Sequence, residues 1–195
     1  MRASTSGNSF SQFGEDSLVW QFFNQRKDGF FVEVGANDPR NLSQTYLLEQ
    51  QGWRGILVEP LSDCCEQLRA HRPKSQVFQA ACGAPEQRGQ ALLHVNQQGS
   101  KLTDLQVRGV AVEGHEEVRV MTLDEILETA GNPKIDFLSI DVEGFEIQVM
   151  QGFSLERHRP ALMLVEDNYA NRLKVHHHIK GRGYRLVKRT GCNNW

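Results

Sequence analysis

Asp141 and Glu143 stand two residues apart at the end of an apolar run, 136–140, with Gly144 directly behind them. In extended chain, residues i and i+2 face the same way. The pair could therefore hold a general base, a divalent ion such as magnesium or a sugar hydroxyl. A second apolar run, 161–165, ends in Glu166, Asp167 and Asn168, which add acceptors and an amide suited to a polar substrate. If a metal is used, Asp141, Glu143 and Glu166 are the set that would bind it and lower the pKa of an acceptor hydroxyl.

Two earlier runs end in groups of another kind. After 30–34 comes the turn Gly35, Ala36, Asn37, Asp38, Pro39, in which a glycine lets the backbone turn tightly and bring its amides to a ligand. After 56–58 come Glu59 and Pro60, some two dozen residues beyond Gly35, and an acid at that spacing can accept both hydroxyls of an adenosine ribose. Either feature alone could be an ordinary turn or a helix cap. In order within one strand-helix-strand unit they point to an adenosyl cofactor.

The choice of cofactor follows from charge. A dinucleotide needs glycines where this chain has Asn37 and Arg40, because its pyrophosphate must lie against bare backbone. Glu33 and Asp38 would also repel phosphate. S-adenosylmethionine has no phosphate and carries a sulfonium cation, so carboxylates at this turn favour it. A nicotinamide-dependent oxidoreductase is the weaker reading, and a module that binds the adenosyl group without chemistry is another.

These side chains need elements to place them. Helical periodicity covers 12–27, with Ser11 as a cap, then 43–51, 62–71, a capped helix from Thr122 through Leu127, 145–150 and 172–180. Strands are expected at 30–34, 56–58, 76–80, 90–95, 117–121, 136–140, 161–165 and 184–188. The central ones are too continuously apolar to have a wet face. That pattern predicts an α/β fold, a doubly wound, mainly parallel sheet with helices on both faces, whose ligands bind beyond the carboxyl ends of the strands. The stretch 97–114 is expected to help shape the pocket.

With 195 residues, 22 Lys and Arg against 24 Asp and Glu, and 39% hydrophobic positions, the chain suits one soluble domain over 1–195. Residues 1–28 would form a helical segment packing on it. The net charge of −2 removes the broad attraction that nucleic acid needs. No run is long enough to span a bilayer and the first residues make no secretory signal, so a cytoplasmic protein is expected. The four cysteines have no C-x-x-C spacing and read as reduced structural thiols. His176, His177 and His178 would point around a helix rather than converge on a metal.

Taken together, the segments 11–16, 29–39, 43–49, 52–60 and 136–152 resemble the FkbM family of S-adenosylmethionine-dependent methyltransferases, within the class I Rossmann-like group. The resemblance implies that 33–38 is the cofactor turn, Glu59 the ribose acceptor, and Asp141 with Glu143 the rim nearest the methyl acceptor. It also implies transfer to a hydroxyl of a sugar, glycan or polyketide-like natural product. Gln12 and Asp16 match as well, and at i and i+4 on a helix they would share a face that closes over the cofactor. The segment 165–168 is similar to a Val-Glu-His-Asn pattern of some members, with Asp167 where those carry histidine. Trp53 reads as packing rather than as part of the site.

Overall fold

A computed structural model of the chain describes residues 9–94, 115–167 and 174–195. In chain order the elements are α1 (Glu15–Phe22), β1 (Phe30–Val34), α2 (Tyr46–Gln50), β2 (Arg54–Glu59), α3 (Ser62–His71), β3 (Ser75–Gln79) and β4 (Ala81–Cys82). They continue with β5 (Gly89–His94), β6 (His115–Met121), α4 (Leu123–Thr129), β7 (Phe137–Ile140), α5 (Glu146–Gln151), α6 (Leu155–His158), β8 (Leu162–Glu166) and α7 (Lys174–Ile179). Two short strands, β9 (Arg189–Thr190) and β10 (Asn193–Asn194), close the chain.

Seven strands form one sheet in the order β3-β2-β1-β7-β8-β10-β9, parallel from β3 to β8 and antiparallel at the last two. Alternation along each strand gives the sheet two apolar faces. Val32, Ile56, Leu138 and Met163 pack against α4, α5 and α7 through Ile126, Val149 and Val175. Phe31, Leu57, Phe137 and Leu164 pack against α1, α2 and α3 through Val19, Leu48 and Leu68. The expected doubly wound architecture is present. Trp53 is fully buried on the second face and donates its indole N–H to the Arg26 carbonyl at 2.7 Å, a packing role.

Three expectations are corrected. The strands near 90–95 and 117–121 do not join the main sheet but form a separate three-stranded one, β4-β6-β5, with the apolar core Ala81, Ala91, Leu93, Val118 and Val120. The first helix covers Glu15–Phe22 rather than 12–27, because Asn24 and Gln25 enter positive φ and end it. Residues 184–188 are not a strand. Apart from a bridge of Tyr184 to Lys180 and hydrogen bonds between the backbones of Val187, Lys188 and Trp195, pairing here belongs to β9 and β10, reversed at Gly191 with φ +55. Thr122 caps α4 as expected, by a reciprocal pair with Glu125. All four cysteines are free. No helix among the described residues is long and apolar enough to cross a membrane.

Beneath the second face lies a buried polar network. Arg72, at zero exposure, donates Nε–H to Glu49 at 2.7 Å, Nη2–H to Thr45 Oγ1 at 2.8 Å and Nη1–H to the Pro39 carbonyl at 3.1 Å and to Ser43 Oγ at 3.2 Å. One guanidinium thus ties the end of α3 to α2 and to the turn after β1. Removing one partner of a buried pair leaves an uncompensated charge, so Arg72→Ala should cost about 3–5 kcal/mol in denaturant unfolding. Arg157→Ala, which breaks the exposed Arg157–Glu128 pair, should cost at most about 1 kcal/mol. Equal costs would contradict the role given to the network.

Candidate functional site

The parallel strands β2, β1, β7 and β8 all end on one rim, and the groups there follow from their register. Gly35 leaves β1 with φ +84, and a Cβ at this position would lie 1.8 Å from the Asp141 carbonyl oxygen. Only glycine fits. The chain then turns toward β2, with the amides of Gly35 and Ala36 donating to the Val58 carbonyl at 2.9 and 3.2 Å. Asn37, exposed and at φ +47, donates its amide to Glu59 Oε2 at 2.8 Å, while Leu61 donates its amide to Oε1 at 3.0 Å.

Glu59 therefore straddles the turn and the loop that follows Pro60. Each of its oxygens keeps a lone pair for another donor, which a vicinal diol could supply. Burial pushes its carboxyl above the usual range, opposed by the two amides. Cys64 lies alongside, its thiol 3.6 Å from Asn37 Oδ1 and pushed up to about 11 by burial and by Glu59, so it stays protonated.

Asp141 follows β7 on the other side of Gly35. Ile140 pairs with Val165, which sets Asp141 beside Glu166 at the end of β8. Burial, then the charges of Glu166 and Glu143, raise the Asp141 carboxyl to about 8. Asp141 accordingly keeps its proton and donates it to Glu166, which also accepts the Cys192 thiol hydrogen. Burial likewise raises Glu166. One Glu166 oxygen, Oε2, is buried with no hydrogen-bond partner among the described residues.

Several expected site residues serve elsewhere. Glu33 turns its carboxylate away from the rim, accepting hydrogen bonds from the Gln44 amide at 2.8 Å and from the hydroxyls of Ser43 and Thr45. Burial raises it, with Arg72 opposing. Asp38 caps its own turn, accepting the amides of Arg40 and Asn41; these outweigh its partial burial and hold it below the usual range. Asp167 is buried against the C-terminal hairpin, where it accepts a hydrogen bond from Asn194 Nδ2 at 2.6 Å. Asn168 and residues 97–114 lie outside the described residues.

Gln12 and Asp16 do not share a helix face, because α1 begins at Glu15 and Gln12 sits exposed in the preceding turn. Asp16 is buried and bonded to Ser9, Phe10 and Ser11. Nor do Asp141 and Glu143 lie in extended chain. The strand stops at Ile140, and Glu143 is a turn residue at φ +54. Among the described residues no three His, Cys, Asp or Glu side chains gather into a group that could hold a metal, so the set Asp141, Glu143 and Glu166 is not assembled as one.

Two acids carry structural work that sequence reasoning did not assign. Glu146 is buried and accepts the Gly144 amide at 2.8 Å, fixing the loop after Asp141. Glu15 accepts hydrogen bonds from Thr190 and Asn193, joining α1 to the C-terminal hairpin. The first has a local signal, an acid two residues beyond a glycine turn. The second depends on contacts across most of the chain and has none.

A parallel, doubly wound sheet with a glycine turn after β1, an acid after β2 and an acid after β7 defines a Rossmann-like α/β protein, and sheets of this class bind ligands beyond their strand ends. Comparison supplies the family. Residues 33–186 match the methyltransferase FkbM domain, and the chain belongs to that family. A solved structure, that of methyltransferase FkbM from Methylobacillus flagellatus KT, shares the fold with a TM-score of 0.53 at 14% identity. The match covers 85% of this chain and 41% of that one, so the chain spans about two fifths of its neighbour's length. No curated protein matches the chain.

The rim has a consequence for stability. Unfolded, Asp141 ionises near 3.8; folded, it holds its proton to about 8. Between these values the folded chain binds more protons, so stability falls as pH rises from the lower to the upper and is level above. Asp141→Asn removes that loss. Its melting temperature should gain on the wild type across this window and keep the gain above it. A difference independent of pH would contradict the assignment.

Proposed function

We propose that the chain is an S-adenosylmethionine-dependent O-methyltransferase acting on a hydroxyl of a sugar, glycan or polyketide-like natural product, with Asp141 as the base. The observation that carries this reading is the placement of Asp141, a carboxyl with raised proton affinity, against the Gly35 turn and across it from Glu59. Family membership supports the methyl-transfer class.

The residues suit the cofactor. None of the ion pairs among the described residues engages Glu59, Glu143 or Glu166, so no cation of the protein competes there with a cationic ligand. When bound, S-adenosylmethionine supplies an electrophilic methyl group on a positively charged sulfur. Glu59 would accept the ribose hydroxyls, and the turn Gly35 to Asp38, with Asn37 exposed at its tip, would lie along the adenosyl portion. Glu33 acts from behind, holding Ser43 and Thr45 in place.

For transfer, the rim would have to hold an acceptor hydroxyl beside Asp141. Ionised Asp141 would take the proton of that hydroxyl as it becomes the methyl acceptor. Glu166 then shares that proton. Orientation supplies much of the rate, and the base about 10²–10⁴-fold.

Radiolabelled methyl transfer to a panel of sugars and polyketide alcohols tests this. Activity should rise with pH to a plateau above about 8, where Asp141 is ionised. Asp141→Asn should lose about 10²–10⁴-fold. Glu166→Gln removes a neighbouring charge and should move the inflection to lower pH. Normal turnover in Asp141→Asn would overturn the mechanism.

A further inference from the structure

A near-neutral total conceals an uneven distribution of charge. Residues 168–195 hold seven of the 22 Lys and Arg and none of the 24 Asp and Glu, leaving fifteen cations against all the acids in the first 167 residues. Part of this cationic block borders a cavity of about 640 Å³ between β8, α7 and the segment 183–187. That volume is in the range of small-molecule sites, about 300–1,000 Å³.

Its floor is apolar, formed by Met163, Val165, Val175, Ile179 and Trp195. Its exposed charged groups are Arg159, Lys180 and Arg185; no lining side chain is acidic, and none of the three forms an ion pair among the described residues. The mouth is unusual as well. Five large hydrophobic side chains are exposed among the described residues, and three of them, Phe22, Leu186 and Val187, line this cavity at 51–53% exposure. A dry floor, wet aliphatic edges and unpaired cations are what a ligand with an apolar chain and an anionic head would match. A polyanion such as nucleic acid would leave the apolar floor unfilled, and a neutral apolar ligand would leave the cations unused.

We propose that the cavity between β8, α7 and residues 183–187 binds a single anionic amphiphile, its chain on Met163, Val165 and Trp195 and its head group at Arg159, Lys180 and Arg185. The proposal does not rest on the methyl-transfer reading, since none of the cavity's lining residues is Gly35, Glu59, Asp141 or Glu166. The amphiphile can come free from solution or out of a lipid surface.

The test uses laurate held below micelle formation, dodecyltrimethylammonium of equal chain length, and phosphatidylglycerol vesicles, read by calorimetry and tryptophan fluorescence. Laurate should bind one to one, and about tenfold more tightly than the cationic analogue. The double variant Lys180→Gln with Arg185→Gln changes only exposed side chains; it should weaken laurate roughly fivefold without moving the melting temperature. Val187→Asp, an acid at the mouth, should weaken it too. If laurate-loaded protein forms on mixing with laurate-doped vesicles, a lipid surface is a competent source; if only free laurate loads it, solution is. Equal binding of both amphiphiles, binding to vesicles without saturable laurate binding, or laurate affinity unchanged in both variants would overturn the proposal.

Discussion

The close approach of β1 and β7 at their carboxyl ends governs the site. Gly35 lies so near the Asp141 carbonyl that no side chain fits between the two strands. That contact aligns two acid-bearing strand ends in one register, with Glu59 on the β2 side of the turn and Asp141 on the β7 side. Moving either strand by one residue would exchange inward and outward side chains and take Asp141 off the rim. The two packed faces of the sheet, through Ile56 and Leu138 above and Leu57 and Phe137 below, hold that register.

Behind the turn the chain invests in polar order. Glu33 sits on the central strand, where a carboxylate is costly to bury unless fully hydrogen-bonded. Ser43, Gln44 and Thr45 meet that need, and Arg72 secures the same segment from the far side. The rim is treated differently. Asp141 and Glu166 are left to share one proton, so their mutual repulsion is relieved by protonation rather than by a cation of the protein itself. The expected crowd of rim acids thus divides into two groups, one satisfied by hydrogen bonds within the fold and one left at the strand ends.

Much of this arrangement was legible because strand ends carry their chemistry in sequence. Apolar runs followed by Gly35, Glu59, Asp141 and Glu166 give both the parallel sheet and the positions of the rim. Less legible was where a side chain points once buried. Glu33 and Asp38 read as rim acids by proximity in sequence, but Glu33 faces the helices and Asp38 folds onto its own turn. Gln12 and Asp16 read as one helix face because periodicity alone does not show that Gly14, at φ +80, delays the helix start to Glu15. The pairing of Asp141 with Glu166 rather than Glu143 needs the register between strands, and the separate sheet β4-β6-β5 needs long-range partners. The FkbM resemblance, by contrast, lay in local motifs and agrees with the matched domain.

The central claim is that the methyl donor lies across the turn between β1 and β2 with its ribose on Glu59. Calorimetric titration with S-adenosylmethionine, on protein stripped of small molecules, tests it most directly when wild type is compared with Glu59→Gln and with exposed Glu128→Gln. The account predicts single-site binding in the wild type and in Glu128→Gln, with affinity reduced at least about tenfold in Glu59→Gln, the cost of losing charge-assisted hydrogen bonds. Equal affinity in all three proteins, or no binding to the wild type, would contradict it.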